Sequence, residues 1–165
     1  MIDEYIRKYG RRLYGLCLTL CANREDAEDL YQDTWIKVLK SIHQYDETKE
    51  FEPWLTTICV NTYRNFLRRL EKSPIFNGFS SGEEKDRRLE STADIPPEDY
   101  SDLHSAVSRL PEKLRVTVIL FYFEDMDLKS TSQVLGVPQG TVKSRLNKAR
   151  KLLKEDLQHE ANILF

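Results

Sequence analysis

The sequence has no long apolar run. Its longest, VTVILFYF at 116–123, falls far short of the roughly 20 residues that cross a bilayer as a helix. The N-terminal stretch MIDEYIRKYGRRLYG carries charge throughout, so it lacks the apolar segment of a secretory signal. A soluble, cytoplasmic protein with no direct membrane insertion is the expectation. Cysteine is scarce as well: Cys17, Cys21 and Cys59 are an odd number without CxxC spacing, which argues against a disulfide framework. Cys17 and Cys21 lie one helical turn apart, but no second close pair and no nearby histidine joins them. The three therefore read as small buried hydrophobes, and no metal and no cofactor is expected. An alternating strand pattern of useful length is also missing.

What is present is helical periodicity. Tyr5, Tyr9, Leu13, Leu16, Cys17 and Leu20 recur at three- and four-residue spacing, and Asn23 followed by Asp26 resembles a capping box opening a second helix. Ala27, Leu30, Tyr31, Thr34, Val38 and Leu39 supply the second helix with a stripe for burial. After the polar segment HQYDETKE, Pro53 suits the first turn of a third helix. Along that helix run Trp54, Leu55, Ile58, Cys59, Thr62, Phe66 and Leu67. Trp54 and Phe66 fall on this apolar stripe and read as core, whereas Tyr45 and Phe51 fit either a loop anchor or a platform for a base.

Charge divides the chain. Lys+Arg against Asp+Glu run 12 to 12 over residues 1–72, 3 to 8 over 73–108 and 10 to 7 over 109–165, so the middle is acidic and the end basic. The middle also loses periodicity and is rich in Ser, Pro and Gly, the composition of a linker. The expected fold is all-α: a helical domain at 1–72, a flexible linker at 73–98 and a second helical domain at 99–165. In the second domain Pro111 opens a helix buried on most sides. Asp127 can cap a short helix through Leu135, and Gly136 can take a left-handed turn. Pro138 can then start a last helix reaching about Gln158. Two short helices with a glycine between them, the second basic, form a helix-turn-helix pattern.

From Leu128 to Lys154 stand seven cations and no carboxylate. A solvated helix normally mixes signs, because opposite charges one turn apart add stability and like charges subtract it. Here the repulsion is left standing. Val142, Leu146, Ala149 and Leu153 keep an apolar stripe, and Gln139, Lys143, Ser144, Asn147 and Lys148 occupy the other face, where a recognition helix meets the major groove.

The stretch LPEKLRVTVILFYFEDMDLKSTSQVLGVPQGTVKSRLNKARKLLKEDL resembles the promoter-recognition domain of bacterial RNA polymerase sigma factors, GVPQGTVKSRLNKARK being its most specific part. REDAEDLYQDTWIKVLKSI followed by FEPWLTTICVNTYRNFLRR resembles the domain that binds polymerase and opens the promoter. With only these two domains, the chain is similar to the extracytoplasmic-function (ECF, group IV) sigma factors. This resemblance implies a non-enzymatic initiation factor with no catalytic residues. Its implied partners are core RNA polymerase (the clamp of the largest subunit and the flap of the second-largest), promoter DNA and a cognate anti-sigma factor.

It further implies that Asp29, Gln32 and Asp33 bind the clamp. Asn61, Arg64, Asn65 and Arg68, with the loop QYDETKEF, contact the minus-ten strand. Thr141, Lys143, Ser144, Arg145, Asn147 and Lys148 face the minus-thirty-five element. One departure stands out: Thr131-Ser132 occupies the place where the family usually has Ile-Ala, which puts a hydroxyl at an apolar position. Two other classes remain to be weighed. A stand-alone helix-turn-helix repressor usually dimerises, and no zipper or apolar dimer face is evident. An enzyme acting on nucleic acid would draw on Asp26, Asp29 and Asp33, which lie on a regular helix without histidine or a metal-spaced partner.

Overall fold

The computed structural model describes residues 1–72 and 101–164, except for the side chains of Ser101 and of 160–164. The expected linker at 73–98 lies outside the described residues. Contacts divide the chain into two compact units, Met1–Ala93 and Asp94–Phe165. Among the described residues every regular element is helical.

In the first unit, α1 (Ile2–Leu20), α2 (Arg24–Ser41) and α3 (Phe51–Lys72) pack against one another. The sharp start of α2 follows from Asn23, whose side chain accepts the Asp26 N–H at 2.8 Å, while its amide nitrogen donates to the Asp26 carboxylate at 2.8 Å. One such cap contributes about 1 kcal/mol. Gly10 permits a close approach between α1 and α2: a Cβ there would stand 2.9 Å from the Tyr31 hydroxyl. Leu13, Leu16, Cys17 and Leu20 of α1 meet Ala27, Leu30, Thr34, Trp35 and Val38 of α2 and Leu55, Cys59, Val60 and Tyr63 of α3 in the core. The Cys17 and Cys59 sulfurs lie 3.9 Å apart, and both residues are fully buried and unoxidised. Their mutual hydrogen bond, together with burial, pushes the Cys17 thiol well above the usual range. Cys21 is only half-buried.

The apolar stripe of α2 differs from the expected one. Trp35 is buried, Tyr31 is half-buried and Leu39 is 51% exposed. The reason is rotation: at 100° per residue Leu39 stands about 120° around the helix from Ala27, too far to share its face.

The second unit comprises α4 (Ser101–Ser108), α5 (Glu112–Val118) running into a wide π-turn (Ile119–Phe123), α6 (Leu128–Leu135) and α7 (Gln139–Leu164). Helix α7 carries contacts to α4, α5 and α6. Val116, Val118, Ile119 and Leu120 are buried around the α5 axis, each worth about 1.5–3 kcal/mol. Helix α4 is not placed by the sequence reading: its buried apolar residues among those described are Ala106 and Val107, and the acidic segment before it masks so short a stripe. Helix α7 extends about six residues beyond the expected end.

The ends of α6 are set as the residue types require. At its start Asp127 accepts the Ser130 N–H at 2.7 Å, and between α6 and α7 Gly136 adopts φ 67°, a conformation glycine enters without steric cost. The Val137 N–H closes the turn on Ser132 O at 3.1 Å. Ahead of α6, Asp125 holds φ 54° without being glycine, and the Met126 N–H closes on Leu120 O at 3.2 Å.

Candidate functional sites

Three exposed surfaces carry the residues singled out above. On α2, Asp29, Gln32 and Asp33 are exposed on one stripe with Glu25, opposite the core. Sequence reasoning missed the apolar part of this surface: Ile36, 48% exposed, and Leu39 lie among these polar residues. Ile36 falls about 20° from Glu25 and Asp29 on the helical projection, a signal that was readable in the spacing. A charged stripe with apolar side chains at its centre suits a protein partner, whose docking would desolvate the centre and leave the acids at the rim.

On α3, Asn61, Asn65 and Arg68 are exposed and Arg64 is half-buried, all within one arc of the helix. The loop before α3 is built from its own hydrogen bonds. The Asp46 carboxylate accepts from the Thr48 N–H at 3.0 Å and the Thr48 hydroxyl at 2.6 Å, which hold it below the ordinary aspartate range. Lys49 N–H reaches Asp46 O at 3.0 Å, and the Tyr45 hydroxyl donates to Lys49 O.

Phe51 settles the choice left open above. It is 3% exposed and its ring meets Tyr5 at 4.2 Å, Tyr9 at 5.0 Å, Tyr45 at 5.3 Å and Trp54 at 5.5 Å. Phe51 is thus the anchor of an aromatic cluster. Tyr45 leans on it half-buried, and burial moves its phenol upward. Trp54 and Phe66, read as core from their spacing, are only half-buried.

The third surface is the start of α7. Val142, Leu146 and Ala149 are buried and Leu153 half-buried, as the stripe requires. Gln139, Lys143, Ser144, Asn147 and Lys148 are exposed together. Ser144 donates to Thr141 O at 3.0 Å, which leaves the hydroxyl oxygen's lone pairs outward. Thr141 and Arg145 lie on the flank and are half-buried, and one Arg145 guanidinium nitrogen is shut from solvent without an acceptor. The Thr131 departure has a physical cost: Thr131 is fully buried and its hydroxyl has no hydrogen-bond partner. Ser132 is satisfied by Lys129 O at 2.8 Å.

Among the described residues no cluster of His, Cys, Asp and Glu could hold a metal ion, and no helix is long and apolar enough to cross a membrane. A basic helix-turn-helix in one unit and an acid-faced helical packing in the other define a modular nucleic-acid-binding protein with a separate docking surface.

Comparison with known proteins gives that class its family. Residues 5–73 match the family described as Sigma-70 region 2, and residues 100–153 match Sigma-70, region 4. Among curated proteins, the chain is 32% identical to the ECF RNA polymerase sigma factor SigE of Mycolicibacterium smegmatis, over 94% of this chain and 61% of that protein. It thus spans less than two thirds of that relative's length. It is 26% identical to the ECF RNA polymerase sigma factor SigW of Bacillus subtilis, over 91% of this chain and 85% of that one. Among solved structures, the sigma factor RpoE in complex with the anti-sigma factor NepR from Bartonella quintana shares the fold. That likeness has a TM-score of 0.74 at 24% identity, covering 95% of this chain and 96% of that one. The chain belongs to the sigma-70 family and, within it, to the ECF sigma factors.

Proposed function

We propose that this chain binds core RNA polymerase, opens the minus-ten region with its first unit, and reads the minus-thirty-five element with its second. The observation that carries the reading is the pairing of region 2 and region 4 matches, in that order, on one chain. The surfaces support the same division. Asp29, Gln32 and Asp33, with Ile36 and Leu39 beside them, form the clamp-binding face of α2. Asn61, Arg64, Asn65 and Arg68 of α3, beside the self-bonded Tyr45–Glu50 loop, form the face for the separated strand. Melting without ATP must replace stacking worth a mean of ~1.4 kcal/mol per step by contacts to bases and backbone. A loop already ordered by Asp46, Thr48 and the Phe51 cluster spends little of that gain on its own ordering.

In the second unit Lys143, Ser144, Asn147 and Lys148 make the groove and phosphate contacts, with Thr141 and Arg145 at the flank. In domain terms, 1–72 acts as region 2, 73–98 as the connection and 99–165 as region 4, with the flap of the second-largest subunit as the partner of the last. Such a factor works where the polymerase is, in the cytoplasm, and performs no catalysis itself. The solved relative in complex with NepR supports regulation by an anti-sigma factor. A stand-alone repressor gives no account of the region 2 match and is set aside. Purified protein mixed with core enzyme should yield a promoter-specific transcript from a genomic template that includes its own upstream region. No specific transcript from any template would falsify the proposal.

A further inference from the structure

The charge imbalance of α7 recurs on α1, where neither the sequence reading nor the proposed function gives it a task. From Arg7 to Arg24 the chain has five cations and no carboxylate. Arg7, Lys8, Arg11 and Arg12 are all exposed on α1, and at 100° per residue they share an arc of about 140°. Arg7 with Arg11 and Lys8 with Arg12 stand one turn apart, a spacing at which like charges oppose the helix. The acids of α1, Asp3 and Glu4, are confined to its first turn. Of the four cations, Arg12 alone pairs with a carboxylate among the described residues, Glu52 at 2.7 Å. Lys8 lies over the Tyr9 ring at 5.2 Å.

Gly15 is an independent feature of the same arc. It falls about 80° from Arg7 on the helical projection, near the middle of the arc. It is exposed, and a Cβ there would have nothing within 4 Å. Glycine is the poorest helix former after proline. At Gly10 packing accounts for it, but no contact among the described residues requires Gly15. A bare spot on a helix lets the backbone of a partner come close. Leu18, 43% exposed, lies beyond the last cation and stands singly, which is ordinary for a surface.

The arc adjoins the loop before α3. Arg12 ties it to Glu52 in the first turn of α3, and Tyr9, beside Lys8, sets its ring against Phe51 at 5.0 Å. Phe51 in turn carries Tyr45 of the loop at 5.3 Å. We infer that Arg7, Lys8, Arg11 and Arg12, with Gly15 among them, form a track for the sugar–phosphate backbone of DNA beside the minus-ten loop. This rests on the reading of the first unit as the part that opens the minus-ten region. A protein occupant would gain from apolar cover, which the arc between Arg7 and Gly15 lacks. Phosphates reward cations whatever the sequence, so the track adds affinity and register and no base choice.

The test uses the complete protein with core polymerase and follows promoter affinity against salt. Arg7→Ala with Arg11→Ala should lower the magnitude of the log–log slope by about 1.4 if the track holds a separated strand and by about 1.8 if it holds duplex. Core binding should be unchanged. Uncharged methylphosphonate linkages, introduced singly around the minus-ten region, should weaken the wild type at positions where they leave this double variant unaffected, and those positions identify the strand. Gly15→Leu should raise the thermal transition of the first unit, because leucine favours a helix, yet weaken promoter binding by about tenfold. Arg24→Ala, which removes a cation paired with Glu28 at 3.3 Å outside the arc, should leave the slope unchanged.

An unchanged slope for the double variant, or a loss of core binding in its place, overturns the inference while a promoter-specific transcript keeps the function standing. An equal fall in slope from Arg24→Ala would make the effect one of net charge and overturn it as well. If the wild type yields no promoter-specific transcript, the reading beneath the inference fails, and the inference fails with it.

Discussion

Helices α2 and α7 each carry an apolar stripe on one side and a charged stretch on the other, acidic at Glu25, Asp29 and Asp33 of α2 and basic from Lys143 to Lys154 of α7, yet these charged faces differ in one respect. The acidic face of α2 holds Ile36 and Leu39, about half-exposed, among Glu25, Asp29, Gln32 and Asp33. The basic face of α7 between Gln139 and Lys148 holds only polar and charged side chains. Exposed apolar groups gain from being covered by another apolar surface, whereas a polyanion rewards cations and hydrogen-bond donors. The difference is the one expected under the proposed function, in which the first face meets a protein and the second a nucleic acid.

The largest effect that can break this comparison is expected at the centre of the α2 face. Ile36→Asp places a charge where the partner must cover apolar surface. It should weaken core-polymerase binding by roughly 30-fold, about 2 kcal/mol, in a titration of the protein against core enzyme. Since Ile36 is exposed, the fold should be undisturbed, and Asp33→Ala at the rim should cost less. Equal losses from both would mean that charge, not apolar cover, holds the complex.

The next effect concerns stability inside the second unit. Thr131→Val replaces a buried hydroxyl without a partner by a methyl of the same shape. It should stabilise that unit by about 1–2 kcal/mol and raise its thermal transition by several degrees, leaving the first unit's transition unmoved. Asp125→Gly, relieving a left-handed residue, should add about 1 kcal/mol to the same transition. On the DNA face Lys148→Ala should lower the magnitude of the log–log salt slope of promoter binding by ~0.9 if Lys148 neutralises one phosphate.

The smallest effect is a pH dependence. The Ser130 N–H stabilises the ionised Asp127 carboxylate and lowers its pKa. Its contribution is therefore complete above the ordinary aspartate value of about 3.9 and is lost as pH falls through the lower folded value. Asp127→Asn should keep the cap and remove that acid sensitivity of the second unit's transition.

Much of this was legible in the sequence because its signals are local. Asn23, Asp127, Gly136 and the Val142–Leu146–Ala149 stripe each act through neighbours within a turn or two, and each sits where its residue type predicts. The exposure of Leu39 and the burial of Trp35 escape a three- and four-residue spacing because such a stripe drifts around the helix, while 100° per residue decides the face. Phe51 was undecidable locally: its anchoring depends on Tyr5 and Tyr9, which are more than 40 positions away. The same holds for Arg150, whose partner Tyr122 lies on another helix 28 positions earlier. Sequence shows its charge and hides its hydrogen bonds.

The central claim is that one face binds polymerase and the other binds promoter. It is tested most directly by measuring promoter-specific transcript at a fixed concentration of this protein while core enzyme is titrated. Ile36→Asp should reach the wild-type plateau but need more core to do so. Lys148→Ala should saturate at the wild-type core concentration with a lower plateau. If both variants change the same parameter, the two faces do not serve separate partners and the account is contradicted.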